Sequence, residues 1–363
     1  MTPPPIAHSL GGGAIHGGES MNDAHTEDSA FRFNGNWRDF APIAFTNLLL
    51  IIVTLGIYRF WAKTRERRYL WSRTDFIGDP LEWTGTGKEL FIGFLMAVLL
   101  FGVPLILLQV AAQMLIMRGM LGWAQLFGFG FTFGILYIVG VARFRALRYR
   151  LSRTRWHGIR GGSDDKGVLY GWSYVWKSVV GGFALGLMIP WSMIELWNRR
   201  WSSMSFGPTR FEAVAEQGPL VRRLLLCYGA VILFIIFCFA VVAAMPIAIV
   251  FLPLVGILLG FVLLASYYVL FLRLAIGGLS LNRLDFRFTA RSVDMVKLAL
   301  GDLALLVLTL GIGFVFLSYR HWAFLIRHLE ASGEVELASL TQSTTEEPKQ
   351  GEGLLDAFDV GAF

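Results

Sequence analysis

The chain has 363 residues, of which 55% are hydrophobic and only 16% are charged, and its net charge is +6. A soluble protein of this length would carry more charge, so the composition indicates an integral membrane protein. In such a protein a positive charge is typical of residues that flank membrane helices, which argues against a nucleic-acid partner.

Both ends of the chain are polar. Residues 1–30 contain Pro, Gly and His but lack the apolar core of a signal peptide, and we predict that they are disordered. Residues 341–363 form an acidic tail that we also predict to be disordered. The sequence between them, residues 31–340, is predicted to form a single membrane domain.

Four long apolar segments are predicted to cross the membrane as two helical hairpins. Each exceeds the roughly 18 residues that a helix needs to span the hydrocarbon core. The hairpins are predicted to turn at Arg118-Gly119 and at Met245-Pro246. The four segments are residues 90–117, 120–141, 224–244 and 247–272.

Three further segments each combine an apolar run, a central glycine and an amphipathic continuation, and we name them the three broken elements. They cover about residues 40–72, 170–202 and 294–329. A glycine inside an apolar helix is a candidate break, and a bulky side chain at Gly56 is expected to block the turn. The residues predicted to break the helices are Gly56, Gly186, Pro190 and Gly311.

The broken elements indicate a threefold internal repeat. A shift of 130 residues places Gly56 on Gly186, and a shift of 255 places the Thr-Leu-Gly-Ile motif at 54–57 on an identical motif at 309–312. Matches at a constant offset are the sequence signature of a repeated structural unit. The predicted units are residues 31–155, 156–285 and 286–340.

The motif Leu-Gly-Ile-Tyr-x-x-Trp-x-x-x-Arg, which begins at Leu55, resembles the signature of the YjgN-like bacterial inner-membrane proteins. The likeness covers roughly residues 31–335. That family usually has Pro before the Trp; Phe60 takes this place in the first element, whereas the second keeps Pro190 before Trp191. The resemblance implies a multi-pass inner-membrane protein and supplies no activity.

Two arrangements of the broken elements fit the sequence. If all seven apolar segments crossed the membrane, Lys and Arg would divide almost evenly between its faces, against the positive-inside rule. If each broken element enters and leaves by the same face, only Arg118 of the 32 Lys and Arg residues lies on the other face. We therefore predict four spans, three re-entrant elements and both termini in the cytoplasm, with seven kinked spans as the alternative.

Short segments of alternating polarity predict β-strands next to the broken elements. Strands that share one face of the membrane can pair, which satisfies their backbone groups. The predicted fold is therefore mainly α, a polytopic membrane protein with short cytoplasmic strands. The strand-like segments are residues 31–35, 81–84, 156–159, 210–214, 285–288 and 334–337.

Asn47, Lys177 and Asp302 occupy equivalent positions, nine residues before the central glycine of each broken element. Polar groups at membrane depth are costly and seek partners, so we predict that the three converge and that Lys177 pairs with Asp302. Two alternatives stay open. All three residues could lie at the membrane interface with their side chains reaching the headgroups, or they could line a path for a solute or ion.

Arginines beside aromatic residues form a second pattern. Such segments are typical of anchors at anionic lipid headgroups on the cytoplasmic face, and a binding site for a lipid or an anionic solute is the alternative. The residues selected for this role are Arg65, Arg68, Arg143, Arg153, Arg273, Arg283 and Arg320.

The sequence contains no recognisable enzyme, metal-binding or cofactor-binding motif, so we expect none of these functions. Broken helices and internal repeats are typical of transporters and channels, and a transporter or channel for a small or anionic solute is the leading interpretation. The alternative is a non-catalytic scaffold or lipid-organising protein. The expected partners are the bilayer and its anionic headgroups. A water-filled cavity at Asp302 would favour transport, and a dry, filled centre would favour the scaffold.

Overall fold

The structure, a computed structural model, describes residues 30–333 and 341–345. Most of this part is helical, as predicted. The predicted N-terminal tail, the strand-like segment at 334–337 and most of the acidic tail lie outside the described residues. The α-helices are α1 (Trp37–Val53), α2 (Arg59–Ser72), α3 (Gly87–Ala97), α4 (Val103–Met117), α5 (Leu121–Arg153), α6 (Val168–Gly182), α7 (Ile189–Trp201), α8 (Gly218–Ala244), α9 (Leu252–Gly277), α10 (Ser292–Leu308) and α11 (Leu317–Arg327).

Two helical hairpins contain the long apolar segments. A π-helical turn at Val98–Gly102 joins α3 to α4, and this continuous helix folds back onto α5, while α8 folds back onto α9. The four helices have 31, 33, 27 and 26 residues and are long and apolar enough to cross a membrane. Helix α5 is longer than predicted, because its basic end continues as helix to Arg153.

Each broken element consists of two helices that pack side by side: α1 on α2, α6 on α7, and α10 on α11. The helices separate at the predicted glycines, where Gly56, Gly186 and Gly311 have φ angles of 91°, 81° and 89°. Glycine tolerates this left-handed region because it has no Cβ. A leucine precedes each glycine and also has a positive φ, so the helix ends and the chain turns back.

The β-structure is more extensive than the sequence predicts. Strands β4 to β11 form one antiparallel sheet in chain order, and β1 to β3 form a second sheet. The strands are β1 (Phe31–Phe33), β2 (Thr74–Phe76), β3 (Asp79–Pro80), β4 (Glu82–Trp83), β5 (Thr154–Trp156), β6 (Ile159–Gly162), β7 (Ser205–Phe206), β8 (Thr209–Ala213), β9 (Leu279–Leu281), β10 (Leu284–Phe288) and β11 (Leu329–Gly333).

Tight two-residue turns explain why short strands can pair. Ile77 and Gly78 join β2 to β3, and His157 and Gly158 join β5 to β6; all four have a positive φ. This backbone suits the twist of an antiparallel hairpin. The two sheets also approach each other, since the ring of Phe31 on β1 lies 6.4 Å from that of Phe286 on β10.

Candidate functional site

Lys177 and Asp302 lie in the first helix of the second and third broken elements, and each has a partner in the second helix of its own element. Lys177 Nζ lies 2.8 Å from Glu195 Oε1, across the gap between α6 and α7. Asp302 accepts a hydrogen bond from Arg320 Nε at 2.6 Å, and its second oxygen lies 2.7 Å from His321 Nε2. The structure therefore does not form the predicted pair between Lys177 and Asp302, because each charge is compensated within its own hairpin.

The first broken element has no corresponding ion pair. Asn47 is buried and donates from Nδ2 to the carbonyl of Ala62 at 3.3 Å. Its Oδ1 is also buried and has no hydrogen-bond partner in the described part of the chain. The residue equivalent to Glu195 and Arg320 is Arg65, which is exposed.

A regular spacing underlies these contacts. Positions 47, 177 and 302 lie nine residues before a central glycine, and positions 65, 195 and 320 lie nine residues after it. The sequence analysis missed the partner positions, because polar residues are common in the amphipathic halves and do not stand out there. The symmetric spacing about the glycine is the signal that could have identified them.

A threonine stabilises two of the three helix breaks. Thr54 Oγ1 donates to the carbonyl of Leu50 at 2.7 Å and accepts from the backbone N–H of Tyr58 at 2.9 Å. Thr309 makes the same pair of contacts, with Leu305 and Gly313, at 2.6 and 2.7 Å. The hydroxyl thus accepts from an N–H that begins the next helical segment and adds a second hydrogen bond to a carbonyl of the preceding helix, which already accepts the threonine N–H.

The second break uses other residues. Tyr228 of α8 donates its hydroxyl to the carbonyl of Leu185 at the tip. Pro190 is the second residue of α7, where a missing N–H costs nothing, so it begins the following helix instead of breaking one.

The sequence analysis expects a bulky side chain at Gly56 to block the turn, and the structure gives a different reason for glycine at this position. A Cβ added to Gly56 would meet no atom within 4 Å, so a larger side chain would not block the turn. The requirement for glycine is therefore conformational: its φ of 91° disfavours any residue with a Cβ.

The arginines predicted to contact headgroups fall into two groups. Four are exposed and available for such contacts: Arg65, Arg68, Arg273 and Arg283. The other three have protein partners. Arg320 binds Asp302, Arg153 lies 3.1 Å from Glu89 Oε1, and Arg143 donates weakly to the hydroxyl of Tyr174 at 3.4 Å. Arg153 and Arg320 are thus engaged in ion pairs within the protein, and headgroup contact stays a prediction for these arginines.

A cavity lies between the two sheets and the helices beside them. We name it the aromatic chamber, and its volume is about 350 Å³. Its lining is almost entirely apolar, and Arg150 is the charged side chain in it. Asn47, Lys177 and Asp302 do not line it, so this cavity is neither the water-filled path nor the filled centre considered from the sequence. Its aromatic lining includes Phe31, Trp71, Trp156, Trp197, Trp201, Phe211, Phe286 and Trp322.

Packing between aromatic rings fixes the chamber walls. Trp71 stacks on Trp322 with their centroids 4.1 Å apart, and Trp201 meets the edge of Phe211 at 5.2 Å. Such contacts stabilise beyond the area they bury, by about 0.5–1.5 kcal/mol each. Trp71 and Trp201 are also equivalent under the 130-residue shift, so two broken elements supply the same position to the same cavity.

These features define a polytopic membrane protein whose helical hairpins carry a β-structure with an apolar, aromatic-lined cavity. Within the described residues, no group of three or more His, Cys, Asp or Glu side chains could hold a metal ion. Residues 28–357 match the family described as bacterial protein of unknown function, DUF898. The chain therefore belongs to the DUF898 family.

The relatives found for the chain are inner-membrane proteins, which confirms the resemblance. The inner membrane protein YjgN of Escherichia coli O157:H7 is 29% identical over 140 residues, covering 39% of this chain and 32% of the relative. YjgN of Salmonella typhimurium is 29% identical over 145 residues, covering 39% and 33%. The match thus spans about a third of each relative's length. No solved structure matches significantly.

Proposed function

We propose that this protein binds an apolar ligand from the surrounding bilayer in the aromatic chamber, as a non-catalytic lipid-binding protein of the bacterial inner membrane. The supporting observation is the chamber itself. Its volume of about 350 Å³ falls in the range of small-molecule sites, which are roughly 300–1,000 Å³ and mostly apolar with a few polar groups.

The walls of the chamber favour an apolar occupant over water. The lining is almost entirely apolar, and the chamber is partly open, so a ligand can enter it. Removing an apolar chain from water yields about 25 cal/mol for each Å² of apolar surface that is buried. A lipid chain is the abundant apolar occupant available to a membrane protein.

The proposed membrane arrangement has four spans and three re-entrant elements, arranged as a threefold repeat with both termini in the cytoplasm. The helix tips support it: Leu55, Leu185 and Leu310 are 94%, 90% and 92% exposed. A leucine in the left-handed region costs about 1–2 kcal/mol, and exposure to water would add to that cost. Insertion of the tips into lipid gives these side chains a favourable environment.

The same arrangement places the polar positions near the headgroups. Nine helical residues extend roughly 14 Å, about half the thickness of a hydrocarbon core. Tips at the bilayer centre would therefore put Asn47, Lys177 and Asp302 close to the interface. Of the alternatives from the sequence, this arrangement favours an interfacial position. The exposed arginines Arg65 and Arg68 would then reach anionic headgroups.

Transport of a small or anionic solute is a second proposal. Three broken helices favour it, because helix ends inside a membrane expose backbone dipoles that can bind ions. Solute flux into proteoliposomes would test it, with Asp302→Asn expected to reduce flux while preserving the fold. Flux equal to that of protein-free liposomes would reject transport and leave lipid binding as the function.

A chamber-filling substitution tests lipid binding. Leu281 lines the chamber, so Leu281→Trp should fill part of it and expel the ligand. Leu264→Trp is the matched control, because Leu264 lies on α9 and faces outward. After purification in a neutral detergent, native mass spectrometry should show one retained lipid on the wild type and the control and none on Leu281→Trp. Equal retention by all three proteins would contradict the proposal.

A further inference from the structure

A buried arginine lies beside the aromatic chamber. Arg200, near the end of α7, is 5% exposed. Its guanidinium lies over the ring of Trp197 at 5.5 Å, and its Nε is buried with no hydrogen-bond partner among the described residues. This nitrogen therefore has no protein acceptor in the part of the chain that the structure describes.

The surroundings of Arg200 contain both guanidinium and phenol groups. Burial lowers the pKa of its guanidinium, the charges of Arg143 and Arg150 lower it further, and Tyr170 and Tyr268 oppose the shift. Arg143, which is half-buried, also has a buried Nε without a hydrogen-bond partner in the described part of the chain. Positive charges therefore lie near the buried Arg200, next to phenol groups.

Two partly buried arginines elsewhere in the protein, in contrast, have carboxylate partners. Arg153 lies against Glu89, and Arg320 lies against Asp302. At both of these sites the fold places a carboxylate next to the arginine. Burying an uncompensated charge is unfavourable, and no carboxylate of the described residues pairs with Arg200, so this guanidinium points to an anion that the protein binds.

We propose that Arg143, Arg200 and Tyr170 form a buried anion site that holds the phosphate or carboxylate head of a single-chain amphiphile, whose chain occupies the aromatic chamber. The two sites adjoin, because the ring of Trp197 lies under Arg200 and also lines the chamber. Arg150 lines the chamber as well. Guanidinium groups match the planar, paired acceptors of carboxylate and phosphate. The inference rests on the proposed function and names its ligand class.

The phenol of Tyr170 suits the same role. Burial raises the pKa of Tyr170, so its hydroxyl stays protonated and can donate a hydrogen bond to an anion. The site therefore offers donors from three helices, α5, α6 and α7, and α6 packs on both of the others.

Binding measurements with matched probes test the site. Lysophosphatidylglycerol and monoacylglycerol of the same chain length differ in the anionic phosphate, and inorganic phosphate supplies the anion without a chain. The wild type should bind the lysophospholipid at least about tenfold more tightly than the neutral lipid, since a hydrogen bond to a charged group is worth that factor or more. Inorganic phosphate alone should bind weakly.

Arg200→Met keeps an apolar side chain of similar length and removes the charge. It should weaken lysophospholipid binding by about ten- to a hundredfold, without changing monoacylglycerol binding. Arg199→Met is the matched control, because the neighbouring Arg199 is exposed, and it should change neither affinity. Tyr170→Phe removes one hydroxyl and should weaken lysophospholipid binding several-fold, which provides a second variant of minimal structural effect.

The possible results separate this inference from the proposed function. Equal affinities of the wild type for both lipids, unaffected by Arg200→Met, would overturn the anion site and leave lipid binding in place. If neither lysophosphatidylglycerol nor monoacylglycerol binds, the proposed function is rejected. Inorganic phosphate that binds as tightly as the lysophospholipid, and is lost in Arg200→Met, would establish an anion site but overturn the headgroup assignment.

Discussion

Alanine substitutions at the two ion pairs test whether each pair stabilises its own hairpin. The structure predicts that Lys177 is coupled to Glu195 and that Asp302 is coupled to Arg320. Lys177 and Asp302 should act independently, in contrast to the expectation from the sequence. Residues in contact show coupling energies of about 0.5–3 kcal/mol, and independent sites add to within about 0.5 kcal/mol.

The expected magnitudes follow from burial. The side chain of Lys177 is 10% exposed and that of Glu195 is 48% exposed, so Glu195→Ala leaves a largely buried ammonium. The ring of Trp191, 5.7 Å away, remains as a cation–π partner. A hydrogen bond to a charged group is worth about 1.5–3 kcal/mol, and exposure of Glu195 reduces the expected loss to about 1–2 kcal/mol.

The Asp302 site should be more sensitive. Its carboxylate is 13% exposed and contacts both Arg320 and His321. Breaking a buried pair costs about 3–5 kcal/mol, but Arg320 is partly exposed, so we expect about 2–3 kcal/mol for Asp302→Ala. The exposed Arg273→Ala is the control for loss of a charge and should have little effect.

Unfolding of the detergent-solubilised protein by increasing dodecyl sulfate, followed by circular dichroism, would give the free energies for single and double variants. Each pair should show a coupling of at least about 0.5 kcal/mol, and the Lys177/Asp302 double variant should equal the sum of its single variants. A coupling above about 1 kcal/mol between Lys177 and Asp302 would refute the local pairing and restore a shared polar centre.

Three further predictions concern the helix breaks and the membrane arrangement. Gly56→Ala should lower the free energy of unfolding by about 1–2 kcal/mol because of its positive φ, whereas Gly229→Ala, in open space inside α8, should be neutral or stabilising in the same assay. A fluorophore on Cys at position 310, with the native cysteines replaced, should be quenched by lipids labelled near the bilayer centre; quenching only by headgroup labels would place the tip outside. Cysteines at Asn36 and Asp79 should react from the same face of the membrane, and reaction from opposite faces would reject the re-entrant arrangement.

The sequence predicts the helices well because their signals are local. The apolar runs and the Arg118-Gly119 and Met245-Pro246 turns can be recognised without knowledge of any contact, and the structure confirms both hairpins. The central glycines are recognisable because the Thr-Leu-Gly-Ile motif occurs twice. The end of α5 was missed, since a dense run of arginines does not distinguish a helix from a loop.

The sheets and the chamber depend on contacts that no local pattern contains. Strand β10 has five residues of alternating polarity and was predicted, whereas β7, Ser205–Phe206, has two residues and cannot show an alternation. It pairs because its neighbours β6 and β8 hold it in register. The chamber needs Trp71 and Trp322 to meet from distant parts of the chain, which the sequence does not reveal.

The two helices of each broken element are linked by polar residues, and the chemistry of that link differs among the three elements. The second element places lysine before the glycine and glutamate after it, and the third reverses the signs with Asp302 and Arg320. The first has Asn47 and an exposed Arg65. A ligand bound in the same way by the three equivalent positions would require side chains of similar charge and hydrogen-bonding capacity at each position. A link between two helices requires only that the two partners complement each other. The polar positions therefore act in holding the hairpins, and the ligand site that we propose lies in the aromatic chamber and at the arginines beside it.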